Sequence, residues 1–370
     1  MKNLNILIKP SSSLCDMNCY YCFYHKIAGE REVRSYGFMT LETLETIVKK
    51  ALEFSDGGVV TFAFQGGEPT LSGLPFFKKF IEFSKKYNLK NSQINNVLQT
   101  NGININEEWA IFLKENNFLV GLSLDGKKDL NDKRRILNDG SGSYERIMNG
   151  KRIMDKFRVE YNVLSVIDKE GAKEIVKTYA FLKAQGIKYM QFIPCLDPLK
   201  SPEIDFSDYS LTAKDYGEFL KKLFDLWYLD ISRGNMISIR YFDNLLDIIL
   251  GSGAEACNMR GICSIQNVIE ADGSVYPCDF YVYDEWNLGN INKVSFEEII
   301  TSNRGKEFIE TSMTLSDKCS ECEFLQICRG GCRRERNENL NKFCKAYKIF
   351  FEYAGERLMQ IARRIYENNK

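Results

Sequence analysis

Residues 14–24 read Leu-Cys-Asp-Met-Asn-Cys-Tyr-Tyr-Cys-Phe-Tyr, which sets three thiols at Cys15, Cys19 and Cys22. Gaps of three and two residues let one short loop wrap its thiolates around a single soft metal centre, either an iron-sulfur cluster or zinc. Three ligands do not close a four-coordinate site. Zinc would recruit a further Cys or His nearby, and the sole histidine of the chain, His25, is the one candidate. A [4Fe-4S] cluster with one open iron uses the shortage differently, because the open iron can bind a small molecule through an amino and a carboxylate group.

The totals narrow the setting. At 370 residues the chain is long for one domain, so two are expected. Lys plus Arg and Asp plus Glu balance at 50 each, which gives no electrostatic reason to expect nucleic acid or an anionic membrane. The basic run Arg333, Arg334 and Arg336 reads as solvated surface. Twelve cysteines would suit a secreted disulfide framework, but Met1 to Pro10 is interrupted by Asn3, Asn5 and Lys9 and forms no signal-peptide core. A cytoplasmic location is expected, and no apolar run is long enough to span a membrane. In a reducing compartment clustered cysteines read as metal ligands, and with one histidine those sites are almost purely sulfur.

Up to about residue 235 apolar, β-branched runs alternate with amphipathic ones. Strands are expected at Leu4–Ile8, Val59–Phe64, Asn96–Gln99, Phe118–Leu124, Glu160–Ile167 and Tyr189–Ile193. Helices are expected at Leu41–Phe54, Phe76–Tyr87, Glu107–Glu115, Tyr144–Phe157, Glu174–Ala184 and Asp215–Ile231. Regular alternation means βα units on a parallel sheet, either doubly wound or barrel-like. The notable polar motifs all follow strands, where such folds keep their chemistry. They are the cysteine loop, then Gln65-Gly66-Gly67-Glu68-Pro69, Gln99-Thr100-Asn101-Gly102 and Ser123-Leu124-Asp125-Gly126. Two glycines let a backbone approach a ligand closely; a plain strand-ending turn is the other reading.

Beyond Gly234 the alternation stops and eight cysteines follow: Cys257, Cys263, Cys278, Cys319, Cys322, Cys328, Cys332 and Cys344. Eight makes two sets of four, and spacing alone does not separate iron-sulfur from zinc. Asp272-Gly273 suits a hairpin turn. Cys195 reads as a buried thiol.

The loop from Cys15 to Cys22 resembles the cluster loop of the radical S-adenosylmethionine enzymes. The resemblance implies an open six-unit partial (βα)6 barrel over residues 1–235 and a cluster whose open iron chelates S-adenosyl-L-methionine and cleaves it to a 5′-deoxyadenosyl radical. It further implies that Gly66, Gly67 and Glu68 hold the methionyl amino group, that Ser123 and Arg135 line the ribose and carboxylate, and that Tyr24 lies against the cofactor. Asn131 departs from that family, standing where a histidine is usual. The pattern from Cys263 through Cys344 resembles the SPASM extension, here residues 236–370. That resemblance implies two auxiliary [4Fe-4S] clusters, one on Cys257, Cys263, Cys278 and Cys332 and the other on Cys319, Cys322, Cys328 and Cys344, for three clusters in all.

Four stretches narrow the resemblance to the anaerobic sulfatase-maturating enzymes: residues 62–71 (FAFQGGEPTL), 191–199 (QFIPCLDPL), 238–246 (SIRYFDNLL) and 273–282 (GSVYPCDFYV). By that resemblance the chain oxidises one cysteine or serine of an unfolded sulfatase, in a Cys/Ser-x-Pro-x-Arg type segment, to Cα-formylglycine. Asp279 would take the target's proton, Gln65 and Arg240 would touch the peptide, and a flavodoxin- or ferredoxin-like protein would supply electrons. Two other readings stay open: a SPASM maturase that makes thioether or carbon-carbon links, and a non-catalytic iron-sulfur carrier or zinc-held binding module.

Overall fold

The computed structural model describes residues 1–199 and 209–368. Its strands in chain order are β1 (Leu4–Ile8), β2 (Val59–Phe64), β3 (Gln93–Thr100), β4 (Phe118–Ser123), β5 (Tyr161–Ile167) and β6 (Tyr189–Pro194). The helices that alternate with them are α1 (Leu41–Ser55), α2 (Leu74–Tyr87), α3 (Glu107–Glu115), α4 (Tyr144–Lys156), α5 (Ile175–Ala184) and α6 (Ala213–Ser232). β1, β2 and α3 match their expected bounds, and the other elements differ by a few residues at their ends. Polar caps explain several starts: the side chains of Thr40, Asn106 and Thr212 accept amides from the first turns of α1, α3 and α6.

The described residues fall into two compact units. The first comprises Met1–Leu124, Asn131–Tyr161 and Ser264–Phe308; the second comprises Asp125–Leu130, Asn162–Cys263 and Ile309–Lys370. In the first unit β1 to β4 pair in parallel and in sequence order. Their inward residues Ile6, Phe62, Phe64, Leu98 and Val120 are fully or almost fully buried. Aromatic rings of α2 close this core, with Phe80 packed edge-on against Phe62 and Phe64. β1 gains a further parallel neighbour, β8 (Val268–Ile269), which turns through Asp272-Gly273 into antiparallel β9 (Val275–Tyr276). Gly273 takes φ +88 there, as the hairpin reading of that pair requires. Strands of two residues carry no periodic signal, so β8 and β9 were not legible as strands.

In the second unit β5 pairs with β6, and β6 with β7 (Ser238–Ile239), all parallel. β7 runs directly into α7 (Arg240–Ile249). The long helix α8 (Cys344–Asn368) lies along α6, where Phe350 meets Phe224, and Phe350 also meets Phe242 of α7. Gly217 of α6 lets the two backbones close up, since a β-carbon there would come within 3.3 Å of the Ala346 Cα.

Candidate active site

The cysteine loop leaves the carboxyl end of β1 and is tied down on two sides. On one, Gln65, Gly67 and Glu68 donate their amides to the carbonyls of Ile8, Ser12 and Leu14. The motif after β2 is thereby laced to the residues just ahead of Cys15. A β-carbon on Gly67 would land on the Leu14 carbonyl, and Gly66 takes φ +139 with Lys9 and the Ser12 carbonyl 3.1 Å from where its β-carbon would stand. Close approach of two backbones is what the glycines permit.

On the other side, residues 134–142 pair with the loop. Asn18 and Tyr20 donate to the carbonyls of Ile136 and Arg134, and Asn138 donates to the Cys15 carbonyl at 2.9 Å. Asn131 is fully buried at the head of this segment, its amide on the Ser143 hydroxyl and its carbonyl accepting from Arg134 and Arg135. Its role is to hold the turn from which Arg135 reaches back, bonding the Tyr21 hydroxyl at 2.6 Å and placing positive charge near the Cys22 thiol.

Burial pushes the thiols of Cys15 and Cys22 up, and the Met17 and His25 amides each point at a sulfur from 3.4 Å. Such N–H groups are among the features that tune an iron-sulfur cluster. The His25 ring faces Arg34, with Nε2 2.9 Å from its guanidinium, and so offers no fourth ligand to the three thiols. Among the described residues no three His, Cys, Asp or Glu side chains converge as the ligands of one ion would.

Glu68 is buried, and its carboxylate accepts from the Thr70 amide (3.1 Å) and hydroxyl (2.6 Å), the Thr100 hydroxyl (2.7 Å) and the Asn101 amide (2.8 Å). Burial pushes this carboxyl up in spite of these donors. The side chain thus ties the loop after β2 to the end of β3. Asp16, between two of the cysteines, is gripped by the amides of Asn101 (2.6 Å) and Asn104 (3.0 Å). Ser123, at the end of β4, accepts from Gln99 at 3.0 Å.

Asp279 stands on the turn Asp279–Tyr281, directly after Cys278. Its Oδ2 accepts from the Gln65 side-chain amide at 2.8 Å, and its Oδ1 lies 2.5 Å from the Lys9 ammonium. Its charge also acts on the Cys22 thiol. The contact has a packing cause. The helix Phe23–Gly29, capped by Cys22, lies against this turn, with Phe23 and Phe280 rings 4.6 Å apart. Beneath them Tyr24, Ile27, Val268, Tyr276, Val282 and Tyr283 form one core cluster. Tyr24 is 2% exposed; its hydroxyl donates to Glu270, which also pairs with Arg31 at 2.7 Å, and Lys9 sits over its ring. Lys9 thus lies between the Tyr24 ring and the Asp279 carboxylate.

In the second unit, Cys319, Cys322, Cys328 and Cys344 act on one another electrostatically, with Cys328 pushed up to about 11 by burial, and Cys257, Cys263 and Cys332 do the same. Cys278 belongs to the first unit. Cys195 is buried, as expected of a plain thiol. Gly330 and Gly331 both take positive φ between Cys328 and Cys332, which turns the chain sharply. The expectation that Arg333, Arg334 and Arg336 are solvated surface is corrected here for Arg334 and Arg336. Arg336 donates to five backbone carbonyls, those of Gly261, Ser312, Thr314, Gly330 and Gly331. Arg334 bonds the Asp197 carbonyl. A guanidinium's five N–H groups suit the task, and a charge run in sequence gives no hint of it.

Arg240 begins α7 and donates to Gln191 at 3.1 Å. Both line a small cavity of about 50 Å³ with Tyr216, Tyr241, Glu335 and Tyr347. Lys9 is the site residue that sequence reading missed. Its one signal was a charge placed directly after the apolar strand Leu4–Ile8.

These sites fit the groups the sequence implies: three thiols on one loop, a glycine cradle beside them, and further thiols in sets. The comparisons agree. Residues 10–182 match the radical SAM superfamily, and residues 257–323 match an iron-sulfur cluster-binding domain named SPASM. The chain is 48% identical over 371 aligned residues, 99% of either chain, to a cysteine-type anaerobic sulfatase-maturating enzyme of Clostridium novyi. A serine-type enzyme of Bacteroides thetaiotaomicron is 31% identical, aligned over 96% of this chain and 90% of its own. Among solved structures, anSMEcpe with bound AdoMet and Cp18Cys peptide superposes with a TM-score of 0.94 at 46% identity, covering 98% of this chain and 100% of that one. The fold is thus the open six-unit barrel with a cysteine-rich extension, and the cofactors are [4Fe-4S] clusters and S-adenosylmethionine. The chain belongs to the anaerobic sulfatase-maturating enzymes of the radical SAM superfamily.

Proposed function

We propose that this enzyme oxidises a cysteine of a sulfatase polypeptide to Cα-formylglycine, with Asp279 as the base that takes the thiol proton. The observation that carries this reading is the position of Asp279: next in sequence to Cys278, an auxiliary-cluster thiol, and close enough to Cys22 for its charge to act on that thiol. When bound, S-adenosylmethionine and the three clusters supply a carbon radical that removes one hydrogen atom from the target Cβ, and an acceptor for one electron. The chain's own task is then to remove one proton and to hold the reactants. Loss of a hydrogen atom, a proton and an electron turns the CH₂–SH group into a thioaldehyde, and water replaces its sulfur, releasing H₂S and leaving the aldehyde.

The roles divide as follows. Cys15, Cys19 and Cys22 hold the open cluster, and the backbone of Gly66 and Gly67 receives the methionyl amino group. Glu68 fixes that cradle from behind, while Ser123 and Arg135 face the ribose and carboxylate. Gln65 orients both Asp279 and the peptide, and Arg240 meets the peptide from α7. Residues 1–235 carry the radical chemistry and residues 236–370 the auxiliary clusters. The cysteine target follows from the 46–48% identity to cysteine-type relatives against 28–31% to serine-type ones. The electron donor is a flavodoxin- or ferredoxin-like protein, and the reaction takes place in the cytoplasm before the sulfatase folds. No helix among the described residues is long and apolar enough to cross a membrane.

Incubation of the reduced, reconstituted enzyme with S-adenosylmethionine and a cysteine-containing sulfatase peptide tests this directly. The product is expected to lose one sulfur and two hydrogens and gain one oxygen. A crosslink that keeps its sulfur, or cofactor cleavage with an unchanged peptide, would overturn the proposal.

A further inference from the structure

We infer that Lys9 is a positioning residue for the oxidation, holding the Asp279 carboxylate in the pose in which it receives the substrate proton; the inference rests on Asp279 being the base. Lys9 is the first residue beyond β1, and its amide donates to the Ile269 carbonyl of β8 at 2.8 Å. That bond turns the side chain toward the 270–283 segment. The side chain is wholly buried, with Nζ 2.5 Å from Asp279 Oδ1 and 3.6 Å from the centre of the Tyr24 ring. Beyond this ion pair neither Lys9 Nζ nor Asp279 Oδ1 has a hydrogen-bond partner among the described residues.

A buried ammonium with one acceptor for its three N–H groups is expensive to keep. Apolar residues of similar size would serve stability as well or better, so the pair is not explained by stability alone. Its geometric result is clear. Lys9 grips one carboxylate oxygen and Gln65 the other, at 2.8 Å. The lysine is itself anchored from below, because the Tyr24 ring under it is fixed through its hydroxyl to Glu270, and Glu270 to Arg31. The carboxylate thus has no freedom to rotate away from the reacting centre. Displacement of a reacting group by about 1 Å can cost about a hundredfold in rate.

Lys9 pairs with Asp279 and its charge also reaches the Cys22 thiol, so the test reads the ratio of two products of the same turnover, which isolates the proton step from cofactor cleavage. The experiment uses the full-length enzyme with all clusters reconstituted, a peptide deuterated at the target Cβ, and four proteins: wild type, Lys9→Gln, Lys9→Arg and Asp279→Asn. For Lys9→Gln, deuterium still enters 5′-deoxyadenosine, while formylglycine formed per deoxyadenosine falls by about a hundredfold. Lys9→Arg, which keeps a cation and a donor, recovers part of that ratio. Asp279→Asn loses the ratio at least as severely.

The double variant Lys9→Gln/Asp279→Asn, which buries no unpaired charge, is no worse than Asp279→Asn alone, because removing the positioner of an absent base costs nothing more. It also serves if Lys9→Gln alone does not fold. An unchanged ratio in Lys9→Gln beside a collapsed ratio in Asp279→Asn would overturn the role of Lys9 and leave the base in place. A double variant clearly worse than Asp279→Asn would overturn it too. An unchanged ratio in Asp279→Asn would overturn the base reading itself.

Discussion

Asp279 and Gly67 carry the account at the scale of single residues. Replacing Asp279 by Asn keeps the Gln65 contact's shape but removes the proton acceptor, so formylglycine production is expected to fall by about 10²- to 10⁴-fold. Cofactor cleavage in the same reaction, read as 5′-deoxyadenosine by chromatography, continues. Gly67→Ala is a different test, because it touches no chemistry. The new methyl would collide with the Leu14 carbonyl one residue ahead of Cys15. The cysteine loop is expected to move and the open cluster to be lost, lowering iron from about twelve to about eight per chain while the auxiliary clusters remain. An unchanged iron content in Gly67→Ala would show that the two backbones need not approach so closely. The cysteine spacing, the two glycines and Asp279 were all legible before the fold was known, because each belongs to a short contiguous motif. Lys9 was not, since its partner lies 270 residues away and no local pattern announces an ion pair.

Among the elements, α7 and the knot around Arg336 make separate predictions. Asp243 in the first turn of α7 is half-buried, and burial raises its carboxyl from the ordinary value to about 6 despite the Ser238 hydroxyl at 2.6 Å. The folded protein therefore holds this proton more tightly than the unfolded chain. Its contribution to stability is full below about pH 4 and is lost as pH rises through about 6. Asp243→Asn removes the penalty of the buried charge, so the variant is expected to be more stable at pH 7 by about 1–2 kcal/mol, after allowance for partial exposure, with the gain fading toward pH 4. Anaerobic thermal melts across that range check it; a gain that grew toward low pH would contradict the sign. Arg336→Lys supplies a cation without the fork that reaches five carbonyls. Iron is expected to fall by about four to eight per chain, and an unchanged iron content would show that the carbonyls hold their places without it. Six strands and their helices could be read from alternation because each is long enough to show a period. β7, β8 and β9 have two residues each, too few for any period, and were found only in three dimensions.

For the molecule as a whole, the chain's return after the barrel is the decisive feature. The segment Ser264–Phe308 joins the same compact unit as Met1–Leu124, adds β8 to the free side of β1, and so brings the Asp279 turn against the helix that Cys22 caps. Sequence reading foresaw a cysteine-rich extension but not that one of its strands would complete the first sheet, because strand pairing at this separation is a tertiary choice. The central claim is that one cluster with an open iron and two saturated ones work on a single cysteine through one carboxylate. Its most direct measurement is anaerobic turnover with a cysteine-containing sulfatase peptide, following peptide mass and 5′-deoxyadenosine together in wild type and Asp279→Asn. The account predicts one aldehyde per deoxyadenosine in the wild type, and deoxyadenosine with almost no aldehyde in the variant. Aldehyde formed at the wild-type ratio by the Asn variant would contradict it.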